Sequence, residues 1–431
     1  MPERVRVLSV LNKLGFGGHE YRLLSLAKTI DRDRFDHSVI TLTRDPEDVS
    51  NHGAMHAQFV AAGISVENLG QSQKFAAGGP IGLSLMGKSS LGMARSITKL
   101  AGLIRQRRID VVEAHHTWAM FAAVMAGKLA GARSVITAYH TRPWESVWMR
   151  WPGKITFGWA DAIVTYSHAR RGDIVDWSSL PATKVVVIPN GVEPPQSSRP
   201  AIEVRRALGL PLDPSIKIIG QISGIVPSKG HEILLQAAER LLKHEANVAF
   251  AFVGYSRGQD AYVAQLRQRI QELGLADRIA LVGYPGPIGD VWNVIDIHVH
   301  ASLFDSLPNA IIEGMSLGKP AVVTAVGGIP EIVTHEETGL VVPPGDAAAL
   351  EVALTKLLKS PTFAFRLGEA ARRRHQERLR PEHMTSSMEQ LFLRLATEHC
   401  RLSLRERTPF RGAKGDNVRL TQGKESQNGD L

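Results

Sequence analysis

The chain of 431 residues holds a single cysteine, Cys400. That excludes a disulfide framework and any zinc cluster built on cysteine, and it suits a reducing compartment. No apolar run approaches the roughly 20 residues needed to span a bilayer. The opening MPERVRVLSVLNKLGFGG carries no leader-like apolar core, so a cytoplasmic location is expected, peripheral to the inner face of a membrane at most. No internal repeat is present beyond a general alternation of elements. No metal ion and no cofactor are expected.

What is present is that alternation, in a chain long enough for two α/β domains. RVRVLSVL (4–11) reads as a strand, KLGFGGHE as a turn and YRLLSLAKTI as a helix, the opening of a doubly wound sheet. Gly15, Gly17 and Gly18 lack the spacing of the dinucleotide fingerprint. They would still let the backbone approach an anion at the helix start; a plain tight turn is the alternative. Strands follow at 37–43, 109–116 and 134–140, and His115, His116 and His140 fall at strand carboxyl ends, where open α/β sheets bind ligands. An ordinary surface or core-edge histidine is the competing reading for each. Residues 70–93 are rich in Gly and Ser and read as a disordered loop, with a helix from Ala94.

A strand and turn at TKVVVIPNGVEP lead to a polar, Pro-rich linker, 193–200. The expected organisation is a first Rossmann-like domain over 1–192, the linker, a second such domain over 201–380, a helix at 381–400 and a disordered tail at 401–431. Charge divides unevenly among them. Residues 1–200 hold 24 Lys and Arg against 16 Asp and Glu, residues 201–399 hold 20 against 22, and the rest 7 against 4. The excess on the first half points to an anionic partner, a membrane surface or an acidic saccharide, or simply to solubility. The basic residues are scattered and no reader motif occurs, so no nucleic acid is expected.

The most informative stretch is Ser302 to Gly339. It reads as a loop with Asp305, an extended SLP, a helix over 310–317 with Pro308 in its first turn, the stop Gly318-Lys319-Pro320, a strand and a sharp GGIP turn. The helix start favours an anion beside Ser306, Leu307, Pro308, Asn309 and Ala310. Glu313, inside the helix, can accept two hydroxyl bonds, as from a ribose. Anion, sugar and ribose together describe a nucleotide-sugar site; a buried αβ unit with capping acids is the plain alternative.

These residues carry a resemblance. Two acids eight positions apart, then Gly-Lys-Pro, then Gly-Gly-Ile-Pro-Glu at 327–331, resemble the C-terminal signature of the retaining glycosyltransferases of family four. The resemblance implies the GT-B fold, two Rossmann-like domains facing a cleft. It implies that Lys229, in a Lys-Gly pair, meets a donor diphosphate, that Asp305 and Ser306 orient the donor sugar, and that Glu313 holds the ribose. Amides of 307–310 would meet the diphosphate, and Gly283 and Tyr284 would hold the base through backbone groups. Gly17 and Gly18 would lie beside the phosphates, His140 near the reacting sugar, and the helix after 380 would return to the first domain. Two positions depart from the pattern: Asp305 stands where the family usually has Glu, and Gly224 where it has Arg, with Arg257 as a substitute cation.

The function so implied is transfer of a monosaccharide from a UDP- or GDP-sugar to a saccharide or lipid-linked acceptor, with retention, in polysaccharide or glycolipid biosynthesis. A nucleotide-sugar-binding protein with little transfer activity is the alternative, and a sugar epimerase of the same architecture is a third.

Overall fold

The computed structural model describes residues 4–15, 17–43, 50–71, 88–137, 147–256 and 258–407. His140, Arg257, most of the 70–93 stretch and the chain beyond Arg407 lie outside them. Two parallel sheets with intervening helices make up the fold. The first contains β1 (Val5–Leu11), β2 (Phe35–Thr43), β3 (Val66–Gln71), β4 (Val111–His115), β5 (Arg133–Thr137), β6 (Ala162–Thr165) and β7 (Val185–Val187). Its order is β3-β2-β1-β4-β5-β6-β7. The second contains β8 (Lys217–Ile222), β9 (Val248–Val253), β10 (Ile279–Val282), β11 (Ile297–His300), β12 (Ala321–Thr324) and β13 (Leu340–Val342), in the order β10-β9-β8-β11-β12-β13. Every pairing between these strands is parallel.

The strands form because both sheet faces are covered by helices, so apolar runs are favoured over alternation. In β9, VAFAFV, every residue is buried. Both sheets reverse direction beside their first strand, between β1 and β4 and between β8 and β11. Ligand crevices form at such switch points, outside the strand carboxyl ends.

Two helix boundaries differ from expectation. The helix Lys88–Gln106 starts before Ala94; Met93 is buried in the first core and anchors that early turn. The last helix, Pro381–Arg407, runs past 400 into residues first read as tail, since RLSLRER is made of good helix formers.

That last helix belongs to the core of the first sheet. Met384, Met388, Leu391, Phe392 and Leu395 pack with Val7, Leu23, Phe35 and Val111. The rings of Phe35 and Phe392 meet edge to face at 6.3 Å, and Glu389 Oε1 accepts from the Asp31 amide at 2.8 Å. The turn before the helix is held to the 190–193 segment as well: His375 Nε2 lies 2.7 Å from the Val192 carbonyl, and the Val192 amide donates to Leu379 O at 3.0 Å.

Phe392 therefore stabilises the first sheet from the far end of the chain. Phe392→Ala is expected to cost about 3–5 kcal/mol, read as a lower denaturant midpoint. An unchanged midpoint would contradict this packing.

Candidate active site

The carboxyl edges of the two sheets face each other. Asn190, just after β7, donates from Nδ2 to Asn309 Oδ1, after β11, at 2.8 Å. Asn190 is itself held by Arg22 Nη1 at 3.0 Å. Glu331, in the Gly-Gly-Ile-Pro-Glu turn after β12, accepts from the amides of His168 and Ala169 at 2.8 and 2.9 Å. Those amides begin the helix His168–Ser178, and Ser167 caps the next one, accepting from Arg170 N at 3.1 Å. A carboxylate from one half thus completes a helix start in the other. Gly328 permits the approach: a Cβ there would stand 2.5 Å from the Ser167 Cβ.

On the second half, the loops after β8 and β11 converge. Gln221, at the end of β8, donates from Nε2 to Lys229 O at 2.8 Å and accepts from the Ala301 amide at 2.9 Å. The Leu303 amide bonds Ser228 O at 2.9 Å. These bonds bring Lys229 to Asp305, and the two form an ion pair through Nζ and Oδ2. Asp305 is 3% exposed. Its Oδ2 also faces His300 Nε2 at 2.9 Å and Ser302 Oγ at 3.4 Å, and its Oδ1 accepts from the Ser306 amide at 2.9 Å. Burial pushes this carboxyl up, but the His300 bond and the Lys229 charge outweigh that and hold it well below the usual carboxylate range. Asp305 is therefore an anion whose oxygens the protein itself occupies. It was expected to orient a donor sugar; in the structure its oxygens meet Lys229, His300, Ser302 and the Ser306 amide.

The helix Asn309–Ser316 follows, and no side chain caps its start. Pro308 sits at the cap position rather than in the first turn. It has no N–H, so of the amides expected at 307–310 only Leu307, Asn309 and Ala310 can donate. Glu313 Oε2 accepts from Trp292 Nε1 at 2.8 Å. Burial raises its pKa, against the lowering by that bond. From the other half, Tyr21 senses Glu313: burial first, then the Glu313 and Glu20 charges, raise the phenol pKa.

Gly283 and Tyr284 follow β10 directly. The Tyr284 hydroxyl points inward, to Asp290 Oδ2 at 2.8 Å, so only its backbone borders the site. Tyr255 lies over Gly283 and donates to Tyr284 O at 2.6 Å. It is 59% exposed, a flat face beside the strand end. Sequence reading passed over Tyr255, Trp292 and His300. The Gly-Tyr pair after β9 was a signal for the first; Trp292 and His300 matter only through contacts that folding creates.

On the first half, Gly17 caps the helix Gly18–Thr29 without a side-chain bond. The anion nearest the Gly-rich turn is the chain's own Glu20: its Oε2 lies 2.7 Å from where a Gly17 Cβ would stand. Burial raises the Glu20 pKa, opposed by bonds from the Glu20 and Gly15 amides. So at Gly17 and Gly18, where phosphates were expected, a carboxylate already sits. His116 Nε2 is 3.7 Å from Glu20 Oε1, and the His19 ring is 4.8 Å from that of His116. Beneath them, buried Glu113 accepts from Ser9 Oγ at 2.9 Å and Thr137 Oγ1 at 3.2 Å and pairs with His115 at 3.3 Å. Burial works against its charge, yet His115, His37 and Arg22 hold it at about 2. At Gly224, where a resembling chain has Arg, the described residues place the Gly224 carbonyl in a turn with Val226 N at 3.0 Å. No group of three metal-ligating side chains occurs among the described residues.

Two Rossmann-like sheets, carboxyl edge to carboxyl edge, with a lysine and a bare helix start at one switch point, define a GT-B protein. Known proteins agree. Residues 16–195 match the family described as Glycosyltransferase Family 4, and residues 205–374 match Glycosyl transferases group 1. The chain belongs to this glycosyltransferase family. A 2-deoxystreptamine glucosyltransferase of Streptomyces kanamyceticus is 24% identical over 64% of this chain and 75% of that protein. The lipopolysaccharide core biosynthesis mannosyltransferase LpsB of Rhizobium meliloti is 29% identical over 45% of this chain; the match spans only 56% of LpsB. Among solved structures, a glycosyltransferase from Rickettsia africae superposes with TM-score 0.74 at 19% identity, covering 91% of this chain and 98% of that one. Anabaena HepE in complex with UDP-glucose superposes at 0.71 and 21% identity, covering 89% and 98%.

Two outcomes test this geometry. Glu331→Gln is expected to cost about 0.5–2 kcal/mol, the worth of a helix-start acceptor, and to speed hydrogen exchange at the His168 and Ala169 amides; unchanged exchange would contradict the cap. Burial holds His231 at about 4 and His298 at about 3, below the ordinary 6.5. Each is neutral in the fold while the unfolded chain takes up a proton, so stability is full above pH 6.5 and falls from there towards about 4 for His231 and about 3 for His298. His298→Asn should make the fall of the melting midpoint across that window shallower, and an equally steep fall would refute the assignment.

Proposed function

We propose that this protein moves a monosaccharide from a UDP- or GDP-sugar to a saccharide or lipid-linked acceptor, with retention of anomeric configuration, in polysaccharide or glycolipid biosynthesis. One observation carries the reading: the Lys229 ammonium, held by buried Asp305, stands in the loops beside the start of the helix Asn309–Ser316, which no side chain caps. Both features favour an anion, and a diphosphate is the anion of a nucleotide sugar. The UDP-glucose complex of Anabaena HepE, a protein of the same fold, supports it.

In this reading Lys229 and the amides of Leu307, Asn309 and Ala310, with Ser306 beside them, stabilise the charge that grows on the departing diphosphate. Glu313, one oxygen on Trp292, turns the other to the ribose hydroxyls. The backbone at Gly283 and Tyr284 and the face of Tyr255 take the base. The bond from the anomeric carbon to the diphosphate oxygen breaks, a bond to the acceptor oxygen forms on the same face, and the leaving phosphate takes the acceptor proton. No side-chain nucleophile is required. His140 stays in the scheme near the anomeric carbon on the strength of the family resemblance alone. The basic first half suits an anionic acceptor or the membrane that carries one.

A second reading, binding of a nucleotide sugar with little transfer, is favoured by the occupied carboxylate of Asp305 and by Gly224. Lys229→Ala is expected to lower donor turnover by about 10²–10³-fold, the usual loss for one group stabilising a growing anion, and Glu313→Ala to weaken donor binding by about 10–100-fold, the worth of hydrogen bonds to a charged group, with turnover at low donor falling alike. Unchanged turnover in both would remove this site from the mechanism. Donor binding by calorimetry without turnover on any acceptor would select the second reading.

A further inference from the structure

We infer that the helix Val147–Trp159 docks on an anionic lipid bilayer through an exposed aromatic stripe. The helix follows β5 and leads into β6. Trp151, Ile155 and Trp159 are spaced four apart and so share one face; they are 77, 40 and 49% exposed. The other face is the packed one: Gly153, Thr156 and Phe157 are buried, and the Phe157 ring meets Trp177 edge to face at 5.4 Å. The stripe is therefore not surplus from the core. It is a second apolar face on a helix whose first is already used.

Charge tells what covers it. Arg150 and Lys154, also four apart, are exposed along the side of the stripe. At its far end Trp159 lines a cavity of about 680 Å³ with Lys128 and Lys184. The one acid there, Asp161, is paired with Arg133 at 2.7 Å and with Lys128 at 3.4 Å, so the cations left to a lipid headgroup are chiefly Arg150 and Lys154. Lys184 donates to the Gly158 carbonyl at 2.5 Å and so fixes the helix end. Tryptophan with flanking cations is the composition of a segment lying in a bilayer interface, the rings at headgroup level and the cations on anionic lipid. A second copy of the chain fits less well. Two Trp side chains, about 150–250 Å² each when fully covered, and one Ile fall short of the roughly 800 Å² per partner of a stable interface. The helix lies on the membrane and does not cross it; among the described residues no helix is long and apolar enough to do so.

The inference deepens the proposed function, and rests on it only for its purpose: a docked first sheet would meet an acceptor anchored in the same bilayer. The docking can be tested alone. The full chain is mixed with vesicles of phosphatidylcholine, with and without about one third phosphatidylglycerol, and sedimented. Binding is expected to the anionic vesicles and to weaken by about tenfold or more in the double variant Trp151→Ser with Trp159→Ser, and likewise in Arg150→Glu with Lys154→Glu. Both pairs are exposed, so far-ultraviolet dichroism and donor turnover on a water-soluble acceptor should match the parent. Failure of the parent to bind anionic vesicles, or parent-like binding by both double variants, would overturn the docking. So would a dimer in sedimentation velocity that the Trp variant dissolves while vesicle binding persists. Vesicle binding by a parent that turns over no donor leaves the docking standing and counts against transfer activity alone.

Discussion

A carboxylate buried at the edge of a sheet must be compensated or it will not stay charged. Asp305 is compensated four times, by Lys229, His300, Ser302 and the Ser306 amide. This cluster decides what the second half can bind. It fixes an ammonium whose own loop is tied down by Gln221, and it stands beside the start of the helix Asn309–Ser316, whose cap residue Pro308 makes no side-chain bond. The proposed role of the acid is to keep the cation where a ligand's charge would fall.

The two halves treat the same motif in opposite ways. Each has a strand, a turn and a helix start at its switch point. In the first, Glu20 has moved into the turn and its carboxylate takes the place of an outside anion. In the second, the corresponding place holds Lys229. In the proposed reading the site takes its anion from the second side. The other side contributes Tyr21, which lies close enough to Glu313 to feel its charge, and a polar ladder of histidines above Glu113. The faces are joined through Asn190 with Asn309 and through Glu331 on the helix His168–Ser178.

Most of the architecture was legible in the sequence because strands buried on both faces announce themselves as apolar runs, as β9 and β4 do. The signature acids, Gly-Lys-Pro and the Gly-Gly turn were legible too, since they are local. Less local features were not. The early start of the helix at Lys88 depends on Met93 finding the core of another element. The inward turn of Asp305 depends on the loop after β11 folding back so that Asp305 meets His300 at the end of that strand and Lys229 from the loop after β8. The lack of a donor at Pro308 was readable from chemistry alone, yet the stretch 307–310 reads as a single cradle until its backbone is seen. The exposed face of Val147–Trp159 was invisible because a Trp-rich segment reads as core until its other side proves to be the packed one.

The central claim is that Asp305 acts on a bound diphosphate through Lys229. A double-mutant cycle on UDP binding by calorimetry tests it, with Lys229→Ala, Asp305→Asn and the two combined. The account requires strong coupling: each single change weakens binding, and the second adds little once the first is made. Losses that simply add would mean that Asp305 meets the ligand on its own and that the account is wrong.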